Sequence, residues 1–229
     1  MQIFSRQRLF QVLACAATTF FIGAASSQSP RDIFPIDPPQ PVANDGTVEV
    51  LEFFSYGCSH CANLEPALEA WAKKLPADVK FRRVPSGFNM MGIDEVSLFH
   101  TLEAMGQLDR LHKKIFDAVH NDHAILGSKP ILVKWLEKNG VDPAKYESVE
   151  KSFSVQTKVV RGKQLAGQYK ITSTPTIVIN GRTGAVQSGG ASNFLATIDR
   201  LIDEARQSNA PAKPTASKAP AAKPAAAAK

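Results

Sequence analysis

The sequence predicts an α/β domain carrying an inserted helical subdomain. Three observations predict it. Residues 48–84 alternate strand, helix and strand. Helical periodicity then runs from Asp94 to about Lys170. A strand, a hairpin signal and a closing amphipathic helix follow.

Both ends of the chain stand apart from this domain. Residues 1–27 start with Arg6 and Arg8, continue as an apolar run from Leu9 to Ala25 and close on small residues, the pattern of a cleaved signal peptide. The run is short for a spanning helix and is interrupted by threonines and a glutamine, which argues against an uncleaved anchor. Val12-Leu13-Ala14-Cys15 loosely resembles a lipoprotein cleavage box, but the apolar run continues past Cys15, which argues against lipidation. Residues 208–229 shift to Ala, Pro, Ser and Lys and predict a disordered tail. The formal charge of +6 resides in these ends: two Arg without acids in the leader, and Lys213, Lys218, Lys223 and Lys229 without acids in the tail. Residues 28–207 are formally neutral, so the basic balance does not argue for a nucleic-acid surface on the folded part.

Residues 28–46 are Pro-rich and contain Asp45-Gly46, which predicts an extended lead-in and a turn. Val48–Phe54 is nearly all apolar, like a central strand covered on both faces, and Glu52 is the anomaly within it. Leu64, Ala67, Leu68, Trp71 and Leu75 then recur at helical spacing. This helix of roughly four turns contains Pro66, which should kink it. Val79–Val84 reads as a second strand, parallel to the first across a right-handed crossover. Residues 47–93 and 171–207 form the two parts of the α/β unit, with 94–170 as the insertion. In the insertion, Val96, Phe99 and Leu102 mark one helix, and Leu108, Leu111, Ile115 and Val119 a second. Pro130 opens a third that ends at Asn139-Gly140. A short helix precedes Phe153 and a longer one reaches Tyr169. Thr176–Ile179 is a strand, Asn180-Gly181 a hairpin turn and Ala185-Val186 the start of the return strand. Phe194, Leu195, Ile198, Leu201 and Ile202 stripe the closing helix.

With the leader removed, Cys58 and Cys61 are the remaining cysteines. Two thiols make a poor metal site, which usually needs four ligands, and a good redox couple. Export implies an oxidising compartment where a disulfide persists. At a helix start Cys58 meets unpaired N–H groups and the positive end of the dipole. Both favour thiolate, so Cys58, expected to be the exposed helix-start thiol, is the expected nucleophile. Protonated His60 would add a positive charge nearby. Cys61 lies one turn further in and is expected to be shielded. His112, His120 and His123 lie near one another, and are read as solvated side chains rather than a metal site.

Taken together, the element order, Cys58-Ser59-His60-Cys61 opening the first helix, Pro66 five residues after Cys61, Glu52 six before Cys58, and Thr174-Pro175 directly before the third main strand resemble the thioredoxin fold carrying the insertion of the DsbA family. The resemblance covers about residues 42–207. It implies a thiol:disulfide oxidoreductase with Cys58 and Cys61 as catalytic residues, and Ser59, His60 and Glu52 as tuning residues. Ser59 departs from the family's common proline, restoring an N–H and freeing φ. By position the Thr174-Pro175 bond is expected cis, with the Thr174 backbone offered to an extended substrate segment. Glu52 is expected either to relay the proton of Cys61 or to pair structurally, and Arg83 stands where the family keeps a basic residue beneath the site. Phe88, Met90 and Met91 are candidates for an apolar substrate groove, or simple core. No cofactor and no metal is implied.

The leading expectation is a periplasmic, monomeric dithiol oxidase. It would donate its disulfide to reduced, unfolded exported proteins and be reoxidised by a DsbB-like membrane partner, with no nucleic-acid partner. Alternatives are an isomerase or reductase on the same scaffold, or a non-enzymatic chaperone-like binder. Isomerases of this kind usually carry a separate dimerisation domain, and no stretch here is free to be one. Thr174 resembles both isomerases of this fold and many DsbA relatives.

Overall fold

The computed structural model describes residues 32–43, 45–88, 91–124 and 126–209. The expected signal segment with Cys15, Met90, and the tail from residue 210 lie outside the described residues. The elements are β1 (Ile33–Pro35), β2 (Val48–Phe54), α1 (Ser59–Ala72), β3 (Val79–Pro85), α2 (Glu95–Ala104), α3 (Leu108–His120), α4 (Lys129–Lys138), α5 (Pro143–Glu150), α6 (Phe153–Gln168), β4 (Thr176–Ile179), β5 (Thr183–Val186) and α7 (Ala191–Asn209). The strands form one sheet in the order β1-β5-β4-β2-β3. The β2–β3 pair is parallel and β4 runs antiparallel to β2. The fold is the thioredoxin fold with α2–α6 inserted between β3 and β4.

Three boundaries differ from expectation. The lead-in contains a strand: Ile33 and Phe34 of β1 pair antiparallel with Ala185 and Gly184 of β5. Three residues give too short a run for alternation to register. The return strand starts at Thr183, two residues early, because three residues suffice for the connection: the Arg182 N–H closes the turn on the Ile179 carbonyl at 3.0 Å around Asn180 and Gly181. Both have positive φ (50° and 64°), as a type I′ hairpin requires. Gly181 is also sterically required. A Cβ there would sit 2.3 Å from the Gln40 carbonyl oxygen, where the lead-in crosses the turn. Finally, α7 runs to Asn209, two residues into the segment assigned to the tail.

Period-2 alternation on β2 sorts its side chains between two layers. Val48 and Val50 pack with Ile177 and Ile179 of β4 against Leu64 and Leu68 of α1 and Phe194 and Ile198 of α7. Leu51 and Phe53 point the other way, toward Ala166 of α6, Tyr169 and Ile171. A third cluster lies at the C-terminal end of β2. There Phe54, Tyr56, Cys58 and Cys61 share one apolar core with Leu98, Phe99, Leu111 and Phe116 of the insertion. By the same alternation Glu52 faces α1, and Arg83, its register partner on β3, faces the same way. Pro66 lies within α1, and the helix continues past it to Ala72.

Candidate active site

Cys58 is the N-cap of α1, in extended conformation (φ −88°, ψ 115°), and its Sγ accepts from the Cys61 N–H at 3.5 Å. The chain forms a helix here because Cys58 also accepts the first intrahelical bond, from the Ala62 N–H to its carbonyl at 3.1 Å. Cys61 is 1% exposed and shielded as expected, but Cys58 is only 6% exposed: the expectation of an exposed thiol is corrected, because the core shared with the insertion covers the start of α1. Both are reduced. As a thiol, Cys58 donates to the Thr174 carbonyl oxygen at 3.3 Å. As a thiolate it accepts from the Cys61 thiol, the Thr174 side chain and the N–H groups of Cys61 and His60. Led by the Cys61 thiol, these donors bring its pKa down to about 5 against the opposing effect of burial. Burial pushes Cys61 the other way, far above an ordinary thiol, and the neighbouring Cys58 adds to the rise. One sulfur therefore carries charge at neutral pH and the other keeps its proton.

Ser59 and His60 are exposed in the first turn of α1. What His60 contributes to Cys58 is its backbone N–H. Thr174-Pro175 is cis, and Thr174 is the residue whose carbonyl meets Cys58. Phe88 is exposed, whereas Met91 is partly buried against the insertion's core and donates its N–H to Glu95.

Glu52 is 1% exposed beneath α1, and desolvation raises its pKa to about 8 despite Arg83. Arg83 Nε stands 3.4 Å from Glu52, and its Nη2 donates to Glu65 at 2.8 Å and Glu69 at 2.9 Å. Both stronger contacts go to other carboxylates, which leaves Glu52 the least compensated of the three. Its charge also raises Cys61.

Several residues at the site were not singled out from sequence. Glu95 is buried. Its Oε2 accepts from Tyr56 N–H (2.7 Å) and Ser55 Oγ (2.7 Å), and its Oε1 from Met91 N–H (3.0 Å). The Tyr56 hydroxyl pairs with His112 Nδ1 at 2.8 Å, and His120 Nε2 donates to the Tyr56 carbonyl at 2.8 Å. Every polar group of Tyr56, two residues before Cys58, is thus held by the insertion. The expectation of solvated histidines is overturned for His112, which is 5% exposed, and His120 is partly buried. A signal existed: His112 is i+4 from Leu108 and i−3 from Ile115, on the apolar stripe of α3. Glu65 likewise follows Cys61 at i+4 and shares its face.

A model of the DSBA-like thioredoxin domain matches residues 93–198, a span that starts beyond the two cysteines. The chain is 41% identical over 210 residues to the thiol:disulfide interchange protein DsbA of Bordetella parapertussis, covering 90% of this chain and 100% of that one. It is 33% identical over 205 residues to the DsbA of Pseudomonas aeruginosa, covering 88% and 97%. The crystal structure of Pseudomonas aeruginosa DsbA superposes with a TM-score of 0.70 at 34% identity, over 77% of this chain and 93% of that one. The oxidoreductase DsbA of Xylella fastidiosa gives 0.69 at 26% identity, over 77% and 96%.

Proposed function

The chain belongs to the DsbA family of thiol:disulfide interchange proteins, and on that premise we propose that it is a periplasmic oxidase whose Cys58–Cys61 disulfide passes to reduced, newly exported proteins. A substrate thiolate attacks Cys58 Sγ. The Cys58–Cys61 bond breaks, and Cys61 leaves and takes a proton, for which Glu52, protonated at pH 7, is the nearby source. A second substrate thiolate then attacks the substrate sulfur of the mixed disulfide and expels the Cys58 thiolate, a good leaving group because its pKa is low. The two electrons end on the enzyme's dithiol, and a DsbB-like membrane protein would reoxidise it. In this reading an extended substrate segment docks on the backbone of Thr174, whose carbonyl lies beside Cys58. The N-terminal 27 residues serve as the cleaved export signal.

One observation carries this reading: Cys58 Sγ sits at the N-cap of α1, where the Cys61 N–H reaches it at 3.5 Å and favours its thiolate. A folded pKa near 5 lies below the value of about 8.5 for a free thiol, so the reduced fold is stabilised most above pH 8.5 and loses that gain as pH falls through 5. At pH 7 it amounts to about 2 kcal/mol after solvent screening at the site's mouth. The loop-closure benefit of the disulfide does not change with pH. Calorimetry of both redox forms at pH 3.5 and 7 should therefore show the reduced protein gaining on the oxidised one by about 5 °C, and melting above it at pH 7. A difference that stays flat with pH, with the oxidised form always higher, would replace the oxidase with a reductase or a static disulfide.

A further inference from the structure

The free edge of β3 borders a basic groove that the disulfide chemistry does not use. In a parallel ladder both backbone groups of a residue face the same neighbour. Val48 N–H donates to the Asp78 carbonyl at 2.8 Å and Ser86 N–H to the Phe54 carbonyl at 2.7 Å, so the even-numbered residues of β3 face β2. The odd-numbered ones face outward. Of these, Val79 turns its N–H back to Pro76 (3.0 Å) and Pro85 has none. The N–H groups of Phe81 and Arg83 have no partner among the described residues.

Against this edge lies a cavity of about 510 Å³ between β3, α2 and α6. Its walls bring together Arg82 and Val84 of β3, Lys158, Arg161 and Leu165 of α6, and His100 of α2. Lys158 and His100 share the Glu103 carboxylate at 3.0 Å each, and Arg82 reaches Glu49 only at 3.4 Å. Arg161 is exposed and has no ion-pair partner among the described residues. Charges on an edge strand discourage chance pairing, but that does not account for a free arginine on the helix opposite. The α6 wall from Lys158 to Gln168 is ~15 Å long, the span of four or five residues of extended chain.

We propose that this groove docks an extended polypeptide segment bearing carboxylates. The segment adds to β3 through the outward backbone of Phe81 and Arg83 and sets its acidic side chains against Arg82 and Arg161. Main-chain bonds supply the affinity and the arginines select the charge. The proposal does not rest on the cysteines, so it stands or falls apart from the oxidase reading.

The probes are acetyl-Glu-Val-Glu-Val-Glu-amide, its lysine counterpart, and the acidic peptide N-methylated at every amide. Each is titrated into the full chain while backbone amide resonances are followed. The acidic peptide should shift Phe81, Arg83 and the α6 amides. Arg161→Glu should weaken it at least tenfold while leaving the rate of thiol oxidation unchanged, and N-methylation should weaken it as much. Equal shifts from the lysine peptide would overturn the proposal. So would full affinity after N-methylation, no response on β3, or shifts centred on Cys58 and Cys61.

Discussion

The acidity of Cys58 depends first on a donor that its redox partner supplies, the Cys61 thiol. Replacing Cys61 by Ala removes that donor but keeps the backbone N–H groups. Thiolate absorbance should then titrate about one to two units above the wild-type midpoint near pH 5, and an unchanged midpoint would assign the acidity to the helix end alone. Glu52 has the opposite linkage. Its folded pKa of about 8 lies above the ordinary 4.5, so the native state holds an extra proton and loses stability as pH rises between those values. In the oxidised protein, where no thiolate interferes, Glu52→Gln should flatten that fall. Urea unfolding at pH 5 and 8.5 measures it, with a change of a few kcal/mol expected for the wild type. Parallel slopes in the two proteins would show that Glu52 is ionised and fully compensated.

Between β2 and α1 the chain passes through Ser55–Gly57, a turn that the α/β unit alone does not hold. Glu95 at the start of α2 accepts two bonds there, from the Ser55 hydroxyl and the Tyr56 N–H, and a third from the Met91 N–H, while His112 and His120 of α3 take the two ends of Tyr56. Glu95→Ala would leave a buried N–H and hydroxyl unpaired, at a cost of about 3–5 kcal/mol. Amide exchange at Tyr56 and Gly57 should accelerate well beyond what the global loss explains. Exchange at these amides that merely follows global unfolding would mean the turn holds itself. Elements of this kind were legible in the sequence where the period was long or the spacing fixed. The stripes of α3 and α7 gave their helices, and Cys58, Cys61 and Pro175 stood out through motif and position. The grip on Tyr56 was not legible, because it joins residues 39 to 64 positions apart whose types occur everywhere on protein surfaces. β1 was missed for a related reason: three residues become a strand only once β5 is there to pair with them.

Across the whole molecule, the insertion and the α/β unit meet in one apolar cluster that contains both cysteines, together with Phe54, Tyr56, Phe99, Leu111 and Phe116. Phe54 alone lies within 6.0 Å, centroid to centroid, of Tyr56, Phe99, His112 and Phe116. Neither part can close its interior without the other, although the chain leaves one and returns to it some ninety residues later. That bears on cooperativity. Two bodies sharing a core unfold as one unit, so a scan should give a single endotherm whose calorimetric and van't Hoff enthalpies agree. Two resolved transitions would mean that the parts are independent foldons. Under the single-unit outcome neither part opens alone, so the cysteine pair is uncovered only when the whole fold opens. Only a globally unfolded copy of this protein would then offer its own thiols to its neighbours, so resistance to intermolecular crosslinking is bought with the integrity of the entire fold.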